Sequence, residues 1–72
     1  MLNKDELIGD EIRRLRILNG FTQDEFADIC KISRAYYGRI ERGEHSITLD
    51  MCMRITKTFG ISLYTLFYNI KL

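Results

Sequence analysis

The sequence has no proline, one histidine and two cysteines among its 72 residues. Without proline, the breaks between elements must come from glycines and helix-capping residues. There is also no repeat, low-complexity tract or linker, so we predict one compact domain over residues 1–72. No segment reaches the length of a membrane span or of a secretory hydrophobic region. We therefore expect a cytoplasmic protein with no membrane partner.

The scarcity of histidine and cysteine argues against catalytic and metal chemistry. Cys30 and Cys52 fall among apolar residues of predicted helices, where a reduced thiol packs as a small hydrophobic group. Together with His45 they would supply three ligands, without the paired spacing typical of metal sites. No catalytic triad and no glycine-rich phosphate loop can be assembled from the remaining residues. We predict no enzyme activity, no metal and no cofactor.

Charge is divided unevenly along the chain, although the net charge is only +1. Residues 1–30 hold four Lys or Arg against seven Asp or Glu, whereas residues 31–72 hold seven against three. Because a binding surface responds to local charge rather than to the total, the basic second half is the better candidate for binding.

Capping signals and hydrophobic periodicity predict five helices, and therefore an all-α fold built as a compact five-helix bundle. The predicted helices span about residues 4–19, 23–30, 33–42, 49–59 and 62–70. The clearest start is the capping box Thr22-Gln23-Asp24-Glu25, and Ser33 caps the next helix after a turn of about three residues. Two short capped helices at this spacing are typical of a helix-turn-helix unit, here between Thr22 and Arg42.

A projection at 100° per residue separates two faces of the third helix. The predicted inner face holds Ser33, Tyr37, Ile40 and Glu41. The predicted outer face holds Ala35, Gly38, Arg39 and Arg42, with Arg34 and Tyr36 on the flanks. The same projection of the fourth helix gives a buried stripe of Leu49, Cys52, Met53, Thr56 and Phe59.

The last helix combines a core-closing face with a candidate dimer contact. Its apolar residues recur at helical spacing: Leu63, Leu66, Phe67 and Ile70. Tyr64 and Tyr68 lie four residues apart on a neighbouring face, and such aromatic side chains with polar tips are common in dimer contacts. The alternative is that they only cover the surface of a frayed end. We predict that Tyr64, Phe67, Tyr68 and Ile70 contribute to a homodimer.

Four segments resemble the Cro/repressor-type (XRE-like) helix-turn-helix family. They are GFTQDEFA (20–27), SRAYYGRIERG (33–43), TL (48–49) and FGISLYTLF (59–67), and the resemblance spans about residues 8–67. It implies a lambda-repressor-like DNA-binding domain from a bacterium or phage. Within the family the chain is most similar to controller proteins of restriction-modification systems, through Arg34-Ala35-Tyr36 and an ERG helix end followed by a loop without proline. Phage repressors and antitoxin repressors are the alternatives.

The third helix is the predicted reading helix, because an α-helix fits the major groove of B-DNA. Arg34 and Arg39 are candidates for bidentate contacts with guanine, the commonest specific contact. The methyl group of Ala35 suits the thymine methyl, although alanine is also simply a good helix former. By resemblance Tyr36 reaches a base edge, with a phosphate contact as the alternative. Gly38 is expected to let the helix backbone approach the bases.

Phosphate contacts are predicted on both sides of the reading helix. Thr22 and Gln23 lie at the start of the second helix, where the backbone amides favour an anion. Arg42, His45 and Ser46 follow the third helix and complete the opposite side. The resemblance further implies that Gln23 braces the reading helix. It also implies a partly buried ion pair between Arg16 and Glu41 that joins the third helix to the first.

The predicted function is sequence-specific regulation of transcription by a homodimer on a two-fold operator of double-stranded DNA. The two half-sites should lie about 34 Å apart or a multiple of it. RNA polymerase is a further candidate partner. The alternative of another class is a protein-interaction module, which would require an apolar or aromatic outer face on the third helix. The predicted outer face is small and cationic instead, and this favours DNA.

Overall fold

The computed structural model describes residues 3–70, which contain five α-helices and no strand. The helices are α1 (Lys4–Leu18), α2 (Gln23–Cys30), α3 (Arg34–Glu41), α4 (Leu49–Phe59) and α5 (Leu63–Ile70). This confirms the predicted all-α five-helix fold, with each boundary close to its predicted position. None of these helices combines the length and the hydrophobicity that crossing a bilayer requires.

The turn between α2 and α3 is fixed by capping at both of its ends. At the start of α2, the Glu25 amide donates to Thr22 Oγ1 at 3.1 Å, and the Thr22 amide donates to Glu25 Oε1 at 2.8 Å. At its end, Lys31 adopts a φ of 61°, a left-handed conformation that is costly for a residue with a Cβ. That conformation lets the Ile32 amide donate to Ala27 O at 3.1 Å. The chain thereby reverses direction within the few residues available before α3.

Phe26 of α2 lies at the centre of the aromatic part of the core. Its ring centroid is 4.6 Å from that of Phe59, 5.3 Å from that of Tyr37 and 5.7 Å from that of Phe21. Every other helix contributes at least one fully buried side chain to the same core: Ile12, Tyr37, Ile40, Ile55 and Leu66. The packing of α3 against this core is what decides which of its faces remains exposed.

The predicted buried stripe of α4 is partly wrong. Leu49 and Met53 are 61% and 51% exposed, whereas Ile55, which was not predicted to be buried, is fully buried. Cys52 and Thr56 are buried as predicted, and Phe59 packs on Phe26. Apolar residues occur on more than one face of α4, so a projection of the isolated helix cannot select the face that α2 and α5 cover.

Gly9 brings the backbones of α1 and α3 into direct contact. A Cβ at this position would overlap the carbonyl oxygen of Ile40 and would lie 2.6 Å from that of Glu41. These are backbone atoms, which cannot rotate away as a side chain can. Gly9 therefore sets the distance at which α3 docks on α1, and no sequence pattern indicated this role.

We expect Gly9→Ala to lower the free energy of unfolding by about 1 to 3 kcal/mol, the range typical of overpacking in a well-packed interior. An alanine normally stabilises a helix interior relative to glycine, so a loss would report the contact with α3. Urea unfolding followed by circular dichroism measures the change. Gly38→Ala in α3 is the matched control, because the atoms nearest its Cβ belong to flexible arginine side chains. Equal stabilisation by both substitutions would contradict the close approach.

Candidate nucleic-acid interface

The two faces of α3 have opposite character. Tyr37, Ile40 and Glu41 are buried, whereas Arg34, Ala35 and Arg39 are exposed. The backbone positions these side chains through the Ser33 cap, whose Oγ accepts a hydrogen bond from the Tyr36 amide at 3.0 Å. The outer surface of α3 is therefore small and cationic, and the apolar and acidic side chains of the helix lie inside.

Glu41 is the point at which three helices meet. Its carboxylate accepts hydrogen bonds from Arg16 of α1, from Nε at 2.6 Å and from Nη2 at 3.2 Å. Gln23 of α2 donates to the same carboxylate at 2.7 Å, and Arg16 also donates to the Phe21 carbonyl at 2.8 Å. The Arg16 and Glu41 side chains are only 10% and 2% exposed. A buried, hydrogen-bonded ion pair thus fixes α3 against α1 and α2.

The environment keeps Glu41 ionised. Burial raises the pKa of its carboxyl, but hydrogen bonds from Arg16 and Gln23 outweigh this, so the pKa lies below its ordinary value. The neighbouring hydroxyl of Tyr37 is buried as well, and burial raises its pKa well above the usual range. The negative charge of α3 is therefore neutralised inside the molecule, and the outer face of the helix carries only cations.

Arg34, Arg39 and Arg42 lie on or beside the outer face of α3, and two of them contact carboxylates. Arg34 Nε lies 3.3 Å from Asp24 Oδ1, and Arg42 Nε lies 3.1 Å from Glu44 Oε1. Arg39 is exposed, and no carboxylate of residues 3–70 lies within ion-pair distance of it. Sequence reasoning did not single out the two acids, because neither a helix projection nor a motif indicates contacts between α2, α3 and the following loop.

Gly38 is covered by arginine side chains. It lies on the outer face but is buried, because the guanidinium groups of Arg34 and Arg42 lie over it. A Cβ there would be 2.8 Å from Arg34 Nη1 and 3.0 Å from Arg42 Nη1. In this structure the space that glycine leaves open is thus occupied by arginine side chains, and the approach of the helix backbone to the bases stays a prediction.

Tyr36 lies at the edge of the outer face and is half-buried. Its ring packs edge-on against His45, with a centroid distance of 5.0 Å and an interplanar angle of 84°. His45 in turn contacts the Ser46 carbonyl through Nδ1 at 2.9 Å. The loop after α3 therefore supports Tyr36 from one side.

The predicted phosphate-contacting residues fall into two groups. Thr22, Arg42, His45 and Ser46 are exposed, although Ser46 Oγ donates to Asp5 Oδ2 at 3.2 Å. Gln23 is half-buried, and its side-chain amide is engaged with Glu41. The structure therefore places Gln23 as a brace of α3, and a phosphate contact from it would use other atoms than that NH2 group.

The predicted dimer residues also divide into two groups. Tyr64 and Tyr68 are 74% and 67% exposed, and their rings stack with centroids 5.8 Å apart. Phe67 and Ile70 are half-buried and pack against the core. The two tyrosines thus form an exposed aromatic surface on α5, whereas Phe67 and Ile70 pack this helix against the core.

The two cysteines do not belong to a metal-binding cluster among residues 3–70. Cys30 and Cys52 are both buried as free thiols, and burial raises the pKa of each. Within the described part of the chain, no three His, Cys, Asp or Glu side chains come together in a way that would hold a metal ion. Both thiols are accounted for by packing.

Comparison with known proteins identifies the family. The model of a helix-turn-helix family (HTH_3) matches residues 12–66. The control protein C.BamHI of Bacillus amyloliquefaciens is 32% identical over 56 residues, which cover 76% of this chain and 69% of that protein. The crystal structure of the restriction-modification controller protein C.AhdI from Aeromonas hydrophila superposes with a TM-score of 0.79 and 26% identity. The superposition covers 85% of this chain and 92% of C.AhdI. The predicted family is confirmed.

A longer relative shares only this region. The transcriptional regulator RamB of Mycobacterium tuberculosis is 35% identical over 54 residues, or 75% of this chain. The matched region spans 11% of RamB, so most of that regulator has no counterpart in the present sequence.

We expect Glu41→Ala to lower the free energy of unfolding by about 3 kcal/mol or more, because it leaves the buried Arg16 guanidinium unpaired. The measurement is urea unfolding at neutral pH. Glu44→Ala is the matched control, because it removes an exposed carboxylate from Arg42, and such pairs are worth under about 1 kcal/mol. A melting temperature lowered by only a degree or two in Glu41→Ala would refute a structural role for this pair.

Proposed function

This chain belongs to the helix-turn-helix family, and we propose that it is a transcriptional regulator that reads a specific DNA sequence with α3. In this proposal α3 enters the major groove and α2 lies across the sugar-phosphate backbone, as in other helix-turn-helix proteins. The protein acts by binding rather than by catalysis, and it works in the cytoplasm on double-stranded DNA.

The observation that carries this proposal is the charge of the exposed side of α3. Glu41, the acid of that helix, is turned inward and neutralised by Arg16, while Arg34 and Arg39 remain outside. A helix that presents arginines and small side chains, with Tyr36 at its edge, suits an anionic groove lined with hydrogen-bond acceptors. A surface for binding another protein would instead expose apolar or aromatic residues there.

We assign base contacts to the first and middle parts of α3. Arg34 and Arg39 take guanine, with a bidentate contact worth roughly 1 to 3 kcal/mol of discrimination each. Ala35 is exposed beside Arg34 and takes a thymine methyl. Tyr36, supported by His45, takes a base edge next to them.

Phosphate contacts position the helix without reading sequence. We assign them to Thr22 at the start of α2 and to Arg42, His45 and Ser46 after α3, with Gln23 contributing through the α2 terminus. Thr22 has both its amide and its hydroxyl oxygen engaged with Glu25, so its hydroxyl hydrogen is what it offers to a phosphate. These contacts make the affinity salt-dependent.

Control of a restriction-modification system is the biological role that the relatives favour. C.BamHI is named a control protein, C.AhdI is a restriction-modification controller protein, and the present chain aligns with most of the length of each. A phage-type or antitoxin repressor is the alternative within the same family. A contact with RNA polymerase stays a prediction for either role.

We propose that the DNA-bound form is a homodimer formed through α4 and α5. Tyr64 and Tyr68 supply an exposed aromatic pair, and exposed Met53 and half-buried Leu63 line a groove of about 680 Å³ between the two helices. Phe67 and Ile70 support this surface from the core side. Two copies related by a two-fold axis would present two α3 helices to a symmetric operator.

The double substitution Arg34→Ala with Arg39→Ala should abolish sequence preference and leave residual binding to random DNA, because the phosphate contacts remain. The measurement has two steps: selection from random duplexes to obtain the preferred site, then fluorescence anisotropy on that site and on a scrambled duplex. Lys4→Ala with Arg13→Ala, which removes two exposed cations of α1, is the matched control for the loss of charge. A double variant that still prefers its site would overturn the assignment of the two readers.

The double substitution Tyr64→Ser with Tyr68→Ser should weaken the dimer at least tenfold while leaving the fold intact, because both rings are exposed. Sedimentation equilibrium measures the dissociation constant. Ile17→Ser with Leu18→Ser, another exposed apolar pair, is the control. An unchanged dimer in the tyrosine variant would move the interface away from this face of α5.

A further inference from the structure

Arg34 and Arg42 approach Gly38 from its two sides. Each lies four residues from Gly38, one turn before it and one turn after it. The Nη1 atoms of both arginines occupy the space that a Cβ of residue 38 would need. Two guanidinium groups therefore pack directly on Gly38, and the side chain of any larger residue would displace them outward.

A carboxylate holds each of these arginines at the same atom. Asp24 contacts Arg34 at Nε, and Glu44 contacts Arg42 at Nε. The side chains of Asp24 and Arg34 are 82% and 48% exposed, so this pair adds little to stability. The negative charge of Asp24 beside Nε favours one position of the Arg34 guanidinium group over others.

Asp24 is itself well positioned for this task. It follows directly after Gln23, whose side chain is hydrogen-bonded to Glu41 of α3. The first turn of α2 is thus tied to the reading helix by a buried contact, and Asp24 is carried by that rigid turn. A carboxylate repels phosphates, and the contact that the structure gives Asp24 is with Arg34.

We propose that Asp24 and Gly38 are positioning residues that determine the specificity of Arg34. Gly38 lets the Arg34 guanidinium lie along α3, and Asp24 holds it there by Nε, so that the terminal NH2 groups face a guanine edge. Without Asp24, Arg34 is free to turn toward the nearest phosphate, which adds affinity for any sequence and removes the preference for guanine at one position. This inference rests on the proposed reading of DNA by α3.

The test compares Asp24→Asn with Asp28→Asn. Both residues are exposed on α2 and both substitutions remove one negative charge, but within residues 3–70 only Asp24 forms an ion pair with a reading arginine. Both variants should bind random duplex DNA more tightly, because a phosphate-repelling charge is lost. Only Asp24→Asn should lower the preference of the selected site over random DNA, by about tenfold, the scale of one guanine contact.

The position of the lost preference is the sharper readout. Binding to a set of duplexes with each base pair of the half-site changed in turn gives the preference at every position. Asp24→Asn should flatten the preference at the same base pair as Arg34→Ala, and leave the base pair read by Arg39 unchanged. Asp28→Asn should flatten none.

Gly38→Ala provides an independent second variant. It should raise the free energy of unfolding, because alanine favours a helix over glycine. It should also flatten the base pair read by Arg34, because the new Cβ displaces the guanidinium. If Gly38 had only a structural role, the substitution would raise the free energy of unfolding and leave the preference at the Arg34 base pair unchanged.

The outcomes separate this inference from the proposed function. If the wild-type protein selects no sequence at all, the proposed function fails, and the inference fails with it. If the wild type is specific but Asp24→Asn matches Asp28→Asn at every base pair, the inference alone is overturned. Flattening at the Arg34 base pair by both Asp24→Asn and Gly38→Ala supports it.

Discussion

The contact between Arg16 and Glu41 is the constraint on which the rest of the interface depends. It is buried, has two hydrogen bonds between the partners and joins α1 to α3, while Gln23 brings α2 to the same carboxylate. A buried charge is tolerated only when it is paired and hydrogen-bonded, so any shift of α3 along α1 would expose an uncompensated charge. The direct backbone contact at Gly9 sets the distance between the same two helices. Together they fix both the position and the rotation of the reading helix.

Rotation of α3 decides the chemistry of its exposed side. With Tyr37, Ile40 and Glu41 turned inward, the outer face carries arginines and small residues, and Tyr36 lies at its edge. A helix rotated by one residue, or 100°, would expose the acid and bury an arginine, and the surface would no longer suit DNA. The ion pair makes only structural contacts, but by fixing the rotation of α3 it determines which side chains face the proposed ligand. Glu41 itself faces away from that ligand.

Much of this could be predicted from local sequence signals, and what could not involves contacts between elements. The capping box at Thr22 and the cap at Ser33 predicted the starts of α2 and α3 because caps are local hydrogen bonds. The faces of α3 followed from periodicity because charged and apolar residues separate on it. The face of α4 did not, since Leu49 and Met53 are as apolar as Ile55, and only Phe26 and α5 decide which side is covered. The roles of Gly9 and Asp24 depend on distances between helices, which no single helix encodes, and the coverage of Gly38 depends on the rotamers of Arg34 and Arg42.

In this protein, burial changes how much an arginine–carboxylate pair contributes to stability. Arg16 with Glu41 and Arg34 with Asp24 are both arginine and carboxylate pairs between neighbouring helices. The first pair is almost inaccessible to water, so its loss leaves a buried charge and destabilises the fold. The second pair is largely exposed, so water replaces either partner at little cost. An exposed pair therefore adds little to stability, and in our proposal its contribution is to the direction of the Arg34 guanidinium group. Two arginine–carboxylate pairs thus serve stability and recognition separately, and they differ in burial and in hydrogen bonding.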